Sequence, residues 1–298
     1  METFGILSET RVLSLGKIRP DRMTYHLDAV ADGVEDYYFS LNEAPGAWLG
    51  RGVRRLGLSD TVGREQLLRL LQATHPTTGL PLRTSTQIYG GRQALPGFDM
   101  TLSAPKSVSL LWALTTDDRI RADVQAGHDA AVSGCLTYLE QVAAMGRRGS
   151  HGVTRIATSG FTAAAFRHRT SRAGDPVPHT HLVIPNVVEG VDGRWSSPEG
   201  RLLYTHGKSA GYVYQTLLRG ELTRRLGVVW GPVRNGYADL VGTPAAVVRG
   251  FSSRRQDIEG RREVLARERG DAAATAAAAG PTTTVTLGGA PLLEPSCL

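Results

Sequence analysis

Apolar and polar residues alternate along several segments of the chain, with the period of two that is typical of half-buried β-strands. Segments 11–18 and 97–103 show this alternation most clearly. Three further strands are predicted in succession at 153–158, 162–169 and 179–188, because turns that contain Gly or Pro separate them.

Other segments carry apolar residues at helical spacing. Pro105 suits the first turn of a helix that extends to Leu114. Because strands and helices do not alternate regularly, the pattern favours an α+β fold with a mainly antiparallel sheet over a doubly wound fold. The predicted helices cover residues 20–31, 64–73, 105–114, 117–145, 207–226 and 244–267, and a short strand pair lies between 228 and 240.

Composition places the chain among globular proteins. Its 298 residues are 41% hydrophobic and 21% charged, which excludes a wholly disordered or collagen-like chain. The two cysteines are too few for a disulfide scaffold or a four-cysteine zinc site. Since the chain has neither an apolar run of about 18 residues nor a signal-peptide pattern, we expect a cytoplasmic protein without membrane contact.

Charge and composition also suggest domain limits. A net charge of +6 permits a polyanionic partner without requiring one. From Ala272 to the end of the chain, the only charged side chain is Glu294, and the segment opens on an alanine-rich run. This composition is typical of a disordered tail. We therefore expect an N-terminal extension over residues 1–11, a folded domain over 12–270 and a low-complexity tail over 271–298.

Three histidines form the strongest chemical signal. His179 and His181 lie two apart in a predicted strand, so both imidazoles should project from the same face. His168 lies on the preceding predicted strand and comes alongside the pair if the two strands are antiparallel. Three neutral imidazoles with open coordination positions can bind a divalent metal and leave room for water or substrate.

Other interpretations of these histidines stay open. A His-x-His pair in a strand is often a surface feature without a metal, and the spacing does not distinguish a structural ion from a catalytic one. A cupin-like site starts from the same pair but needs a glutamate a few residues later. This chain instead has Val183, Ile184, Pro185 and Asn186 there, which disfavours the cupin site.

Three of the nine tyrosines lie close together near the N-terminus. Tyr25 lies in a predicted helix, and Tyr37 and Tyr38 follow an acidic pair. In a structural interpretation they are core aromatics. In a chemical interpretation, a phenolate attacks phosphorus and holds a covalent phosphodiester, assisted by a metal ion that polarises the phosphate oxygens.

The segment 97–109 combines a strand, a turn and a helix N-terminus. Asp99 lies in the strand, where its carboxylate could accept a proton or orient a histidine on the metal. Lys106 and Ser107 would suit a phosphate at the helix N-terminus. The structural alternative is a capped helix with a solvent-facing lysine.

Together, these segments resemble the N-terminal relaxase domain of conjugative relaxases of the TrwC/TraI type (MobF), which belong to the histidine–hydrophobe–histidine (HUH) endonucleases. The resemblance extends over about Val12 to Arg267. Its motifs are, in order, LSLGK at 13–17, the Tyr25…DYY cluster, GFDMTLSAPKSVS at 97–109, HRTSRAGDPVPHTHLVIPN at 168–186 and AGYVYQTLLRGELTRRLG at 210–227.

The resemblance implies an antiparallel sheet with helices on one face, and site- and strand-specific nicking and rejoining of plasmid DNA at an origin of transfer. Tyr25 matches the nucleophile that becomes linked to the 5′-phosphate, and Asp99 matches the assisting carboxylate. Tyr37 and Tyr38 match a second tyrosine cluster that is expected to serve the second strand transfer. The matched metal ligands are His168, His179 and His181, for which Mg²⁺ or Mn²⁺ is expected.

The implied partners are single-stranded and hairpin DNA at the origin of transfer, accessory relaxosome proteins and a coupling protein. No nucleotide partner is expected, because the glycine that a P-loop ending at Gly207–Ser209 would need is Leu202. Basic residues are expected to contact DNA phosphates while aromatic residues stack on the single strand. These basic residues are Arg51, Arg54, Arg55, Lys106 and Arg172.

The chain departs from the family pattern in three ways. His26 follows Tyr25 where many members carry a second tyrosine, residues 1–11 precede the strand at which the family begins, and no helicase motif follows. We therefore expect nicking without unwinding, and an alternative start near Val12. The rival functions are a rolling-circle replication initiator of the HUH class, a catalytically silent origin-binding module and a non-catalytic metalloprotein. The segment LSAPKSVS favours the relaxase.

Overall fold

The structure is a computed structural model that describes residues 13–20, 45–59, 61–83, 94–149, 152–171 and 174–252. The chain divides into two units, Met1–Arg254 and Arg255–Leu298, and the described residues all belong to the first. Among the described helices, none combines the length and the apolar character that crossing a membrane requires. Outside the described residues lie Tyr25, Tyr37, Tyr38, Arg172, the extension at 1–11, the boundary predicted at residue 270 and the tail at 271–298.

Nine strands are found in the described parts of the chain. Five of them form one sheet in the order β1-β3-β7-β6-β2, and each neighbouring pair is antiparallel. The others form two separate hairpins, β4 with β5 and β8 with β9. The strands are β1 Leu13–Ile18, β2 Ala47–Leu49, β3 Gly97–Ser103, β4 Met145–Arg148, β5 Thr154–Ala157, β6 Ala163–Thr170, β7 Pro176–Pro185, β8 Val188–Glu189 and β9 Trp195–Ser196.

Helices cover both faces of the sheet, but unequally. Apolar side chains at alternate positions of β3 and β7, such as Met100 and Leu182, are fully buried in one core with residues of the three larger helices. On the opposite face, Phe166 and Val183 belong to a smaller core. The helices are α1 Arg64–Leu71, α2 Lys106–Leu114, α3 Asp118–Val142, α4 Gly200–Leu226 and α5 Ala245–Gly250, together with a 3-10 helix at Arg51–Leu56.

The two cores distinguish the two faces of the five-stranded sheet. The helix face carries α2, α3 and α4, which contribute residues such as Val108, Leu139 and Leu218 to the larger core. The opposite face carries α1 and the 3-10 helix, which contribute Leu67 and Leu56 to the smaller core. The predicted α+β fold with a mainly antiparallel sheet is therefore confirmed. We expected helices on one face of the sheet, and α2, α3 and α4 lie on one face. The smaller core with α1 on the opposite face was not expected.

Several predicted boundaries are wrong. The long helix ends at Val142 rather than at residue 145, because Met145 already pairs with Ala157 in β4. Helix α4 begins at Gly200 rather than at residue 207, since the Glu199 side chain accepts a hydrogen bond from the Arg201 amide and caps it. The Gly207–Ser209 segment consequently lies inside a helix rather than in a loop. Strand β7 begins at Pro176 and ends at Pro185 instead of covering 179–188.

Candidate metal centre

The three predicted histidines come together on two neighbouring strands. His168 of β6 and His179 of β7 are register partners, and His181 lies two residues further along β7. Since Phe166 and Val183 alternate in step with them and belong to the smaller core, the imidazoles project from the face opposite to α2, α3 and α4. The antiparallel pairing that the sequence analysis required is therefore confirmed.

The three rings form a near-equilateral triangle. The ring centres of His168 and His179 are 5.2 Å apart, those of His168 and His181 are 5.1 Å apart, and those of His179 and His181 are 5.3 Å apart. Imidazoles that share one ion at nitrogen–metal distances of about 2.1 Å in tetrahedral directions have ring centres about 5 Å apart. The spacing of this cluster suits a shared ion.

Hydrogen bonds fix the tautomer of His181. Both carboxylate oxygens of Asp99 lie 2.9 Å from His181 Nδ1, and the Thr101 hydroxyl lies 3.2 Å from the same nitrogen. Because an ionised carboxylate can only accept, Nδ1 carries the proton and donates it to Asp99. The lone pair of Nε2 is thereby left available for a metal ion.

His179 is oriented by the backbone in the same way. Its Nδ1 lies 2.7 Å from the Val177 carbonyl oxygen, which can only accept, so Nδ1 donates and Nε2 keeps its lone pair. Burial, reinforced by the neighbouring His181, lowers the pKa of His179 to about 3. The imidazole is therefore neutral at physiological pH, which is the state in which histidine binds metals.

The rings do not yet point at a common centre. Among the described residues, no group of three or more His, Cys, Asp or Glu side chains is arranged to hold a metal ion as it stands. His168 and His179 are stacked, with an angle of 28° between their planes. The donor type, the ring spacing and the fixed tautomers nevertheless fit a divalent ion.

One exposed position lies on the sheet surface near the histidines. Gly16 of β1 is the register partner of Asp99, is exposed, and would place a Cβ with no atom within 4 Å. His168 is only 4% exposed, whereas His179 and His181 are partly exposed. Gly16 therefore leaves free space beside Asp99 on the β1 side of the sheet.

Lys106 and Ser107 are used inside the protein. The Lys106 ammonium donates to the Pro176 carbonyl oxygen at 3.0 Å, and burial lowers its pKa. Ser107 is 1% exposed, and its hydroxyl accepts a hydrogen bond from the Leu240 amide at 3.0 Å. The interpretation of Ser107 as a phosphate ligand is wrong, because the hydroxyl is buried. The structural alternative, a solvent-facing lysine, does not describe Lys106, which is partly buried. The contact of Lys106 with DNA stays a prediction.

The three predicted DNA-binding arginines at 51, 54 and 55 lie at the other end of the sheet. Their 3-10 helix follows β2, whose Leu49 pairs with Ala163 at the start of β6. His168 is five residues further along β6, a distance of about 16 Å. These arginines do not adjoin the histidines, and their contact with DNA stays a prediction.

Two of these arginines already have carboxylate partners. Arg51 donates through Nε to a Glu140 oxygen at 3.1 Å, and the same carboxylate accepts the Arg51 amide at 2.7 Å. Arg55 binds Glu189 with two nitrogens, one of them at 3.1 Å. Arg54 is exposed on the same 3-10 helix.

A buried polar group that was not predicted from the sequence lies directly behind the histidines. His128 of α3 lies 2.8 Å from the Thr180 hydroxyl and 2.8 Å from the Tyr214 hydroxyl. Thr180 lies between His179 and His181 and points to the helix face. Burial lowers the pKa of His128 to about 4, so the ring is neutral. The only signal in the sequence was a histidine at an apolar position of an amphipathic helix.

Comparison with known proteins gives consistent matches. A family model described as TrwC relaxase matches residues 20–286. The multifunctional conjugation protein TraI of Escherichia coli is 32% identical over 234 residues, which cover 75% of this chain. The matched part is 13% of the length of that relative.

Solved structures show the same similarity. TrwC complexed with a 27-mer DNA that comprises the recognition hairpin and the cleavage site has a TM-score of 0.72 at 28% identity, covering 85% of this chain and 83% of that one. The metal-bound structure of the conjugative relaxase TrwC with oriT DNA has a TM-score of 0.73 at 30% identity, with the same coverage.

Proposed function

Because this chain belongs to the TrwC relaxase family, we propose that it nicks and rejoins one strand of plasmid DNA at an origin of transfer in conjugation. The proposal extends to this chain what the similar proteins are described as binding, namely oriT DNA with a hairpin and a cleavage site. The observation that carries it is the triangle of His168, His179 and His181 on one face of the sheet, with Asp99 bonded to the third ring.

His168, His179 and His181 would hold a divalent ion, for which Mg²⁺ or Mn²⁺ is our proposal. When bound, such an ion supplies polarisation of the scissile phosphate oxygens and offsets the charge that builds on them. Asp99 acts from the adjacent strand, because its hydrogen bond keeps the His181 Nε2 lone pair available for the ion. The two bonds hold a proton on Nδ1 of His179 and of His181, so Nε2 is the nitrogen that each ring can offer to an ion.

Tyr25 is the proposed nucleophile, from its match to the family motif. Its phenolic oxygen forms a bond to phosphorus while the bond between phosphorus and the 3′-oxygen breaks. The phenolic proton passes to Asp99 or to a bound water, and the departing 3′-oxygen gains a proton and becomes a hydroxyl. Since the phosphodiester energy is kept in the tyrosyl ester, rejoining by the reverse reaction needs no ATP. Tyr37 and Tyr38 are proposed for the second strand transfer.

The proposed partners follow from the same reaction. Single-stranded and hairpin DNA would lie across the β1 side of the histidine cluster, with Arg51, Arg54, Arg55, Lys106 and Arg172 as candidate phosphate contacts. Accessory relaxosome proteins and a coupling protein are the proposed protein partners. The cytoplasm is the proposed location, since plasmid DNA lies there.

An oligonucleotide assay tests this function. The protein is incubated with a labelled single strand that carries an origin of transfer, with Mg²⁺ or Mn²⁺ and with a chelator. We expect a covalent protein–DNA adduct and a free 3′-hydroxyl fragment that disappear with the chelator, with His181→Ala and with Tyr25→Phe. The matched control for the histidine is His75→Ala, because His75 lies in the turn after α1 and its Nδ1 accepts the amides of Thr77 and Thr78 in the same turn.

The outcomes separate the rival functions. An adduct that survives Tyr25→Phe would refute the assigned nucleophile. Salt-sensitive binding of the hairpin without any cleavage would instead indicate a silent binding module. Cleavage only of a replication origin would indicate a rolling-circle initiator.

A further inference from the structure

The strands that carry the three histidines have a weak point in their pairing. The ladder between β6 and β7 is regular from Ala164 to His168, and its register shifts between His168 and Thr170. A one-residue slip of a strand turns every side chain to the other face of the sheet. The histidine cluster therefore lies beside an irregularity in the ladder between β6 and β7, at the end where their register is least regular.

A cross-strand pair on the helix face lies directly behind the cluster. Arg167 and Thr180 are register partners. Along the ladder, they are flanked on one side by the pair His168–His179 and on the other by the pair Phe166–His181. Side chains alternate along a strand. Arg167 and Thr180 therefore point to α3 while the three histidines point the other way.

Two consecutive residues of α3 bind this pair. His128 Nε2 lies 2.8 Å from the Thr180 hydroxyl, and the Asp129 carboxylate lies 3.0 Å from Arg167 Nε. One helix thus contacts both strands at the level of the cluster. Any slip of β6 or β7 would break one of these contacts.

His128 is itself held in place. Its second ring nitrogen lies 2.8 Å from the Tyr214 hydroxyl of α4. His128 is 1% exposed, Thr180 2% and Tyr214 0%. In either tautomer of the neutral ring, one nitrogen donates and the other accepts, so both hydroxyls have a partner. Buried polar chains of this kind hold a single geometry, because each broken bond leaves an unsatisfied group.

We infer that His128 and Asp129 are positioning residues, which lock the register of β6 and β7 through Thr180 and Arg167 so that the three histidines project from one face of the sheet. They touch no substrate, and they act through the strands that carry the donors. That the cluster holds a metal ion is part of the proposed function, and the role of His128 and Asp129 in metal binding rests on it. The register lock itself can be measured without metal or DNA.

Imidazole nitrogen signals in long-range ¹H–¹⁵N spectra of the metal-free protein provide the first readout. With Thr180→Val, which removes the hydroxyl and keeps the shape, we expect the signals of His179 and His181 to shift and broaden. Thr180→Ser restores the hydroxyl and should return the signals to their wild-type positions. Asp129→Asn weakens the partly exposed pair with Arg167 and should affect mainly His168, so it remains informative if Thr180→Val does not fold.

Co²⁺ binding followed by visible absorbance provides the second readout. We expect Thr180→Val to weaken Co²⁺ binding by about tenfold, in the range seen when groups that orient metal ligands are removed, and Thr180→Ser to recover it. The matched control is Thr158→Val, because the Thr158 hydroxyl donates to the Ala144 carbonyl oxygen at 2.6 Å, away from the cluster. That control should lower the melting temperature without changing the histidine signals or the Co²⁺ affinity.

Unchanged histidine signals in both Thr180→Val and Asp129→Asn would overturn the inference. Equal effects of Thr180→Val and Thr158→Val would also overturn it, since they would indicate general destabilisation. If the signals shift as expected but the wild-type protein does not bind Co²⁺ or cleave DNA, the register lock stands and the proposed function fails.

Discussion

Asp99 and His181 lie on neighbouring strands, with both carboxylate oxygens of Asp99 2.9 Å from the Nδ1 atom of His181. The two residues are not register partners, because Asp99 pairs with Val183 and His181 pairs with Thr101. The bond is therefore a diagonal contact on the face that carries the histidine cluster. It fixes which nitrogen of His181 holds the proton and which is offered to a metal ion.

Replacing that carboxylate should weaken metal binding. In Asp99→Asn, a neutral amide replaces the charged acceptor, so the bond that fixes the His181 tautomer becomes weaker. We expect the affinity for Co²⁺ to fall by about tenfold, measured by absorbance titration, together with the rate of oligonucleotide cleavage. Asp192→Asn is the control, because Asp192 pairs with Arg148 in the turn between β8 and β9. Equal Co²⁺ affinity in Asp99→Asn and the wild-type protein would contradict the role of Asp99.

A large side chain at Gly16 should block the site without unfolding the protein. A Cβ there meets nothing within 4 Å, and it would project beside Asp99. For Gly16→Leu we expect a change in the free energy of unfolding of less than about 0.5 kcal/mol and a large loss of DNA cleavage. Gly220→Leu is the matched control, since a Cβ at that exposed position of α4 also meets nothing. Normal cleavage by Gly16→Leu would show that DNA does not approach across β1.

The buried His128 should make the stability of the metal-free protein depend on pH. Its pKa is about 4 in the folded protein against an ordinary value of 6.5, so the unfolded chain binds a proton between these values that the folded protein does not. Stability therefore falls as the pH falls from about 6.5 to about 4, by at most about 1.4 kcal/mol per pH unit. Urea unfolding between these pH values should show a shallower dependence for His128→Gln. Parallel profiles for the two proteins would contradict a neutral, buried His128.

The exposed arginine of the 3-10 helix can be tested as a phosphate contact. For Arg54→Ala we expect weaker binding of origin DNA for every sequence tested and a slope of log affinity against log salt smaller by about 1. Arg69→Ala is the control, because Arg69 pairs with Glu65 within helix α1. An unchanged slope would remove Arg54 from the DNA interface.

The sequence predicted the parts of the fold in which periodicity and local signals agree. Strand β3 has the predicted bounds, because its apolar residues alternate without interruption between Gly97 and Ser103. The histidine cluster was also predictable, since the short connection after His168 forces β6 and β7 to pair as antiparallel neighbours. Because side chains alternate between the two faces along a strand, the spacing of the three histidines was enough to predict that they share one face.

The start of β7 could not be predicted from the sequence, because prolines usually indicate a turn. Pro176 and Pro178 nevertheless lie in the strand. The Pro178 carbonyl accepts the Ala104 amide, and the nitrogen and carbonyl of a residue point to the same side of a strand. The side of Pro178 that lacks an N–H therefore faces Ala104, one residue beyond the end of β3. Because β3 ends at Ser103, these prolines lie outside its ladder with β7.

The buried contacts of α3 could not be predicted from the sequence either. His128 and Tyr214 are 86 residues apart in the chain, and periodicity marks both positions simply as buried. Which polar groups meet inside a core depends on how the helices pack on the sheet. Similarly, Arg51 and Arg55 look like free cations in the sequence, but folding supplies Glu140 and Glu189 as their partners.

We propose that Tyr25 becomes covalently joined to DNA during cleavage. The most direct measurement is mass spectrometry of the wild-type protein after cleavage of an origin oligonucleotide and nuclease digestion. Tyr25, Tyr37 and Tyr38 fall in one tryptic peptide, residues 23–51, and a glutamate-specific protease separates Tyr25 from the other two by cutting after Glu35. We expect the nucleotide on Tyr25. A nucleotide only on Tyr37 or Tyr38, or cleavage of DNA with no modified tyrosine, would contradict it.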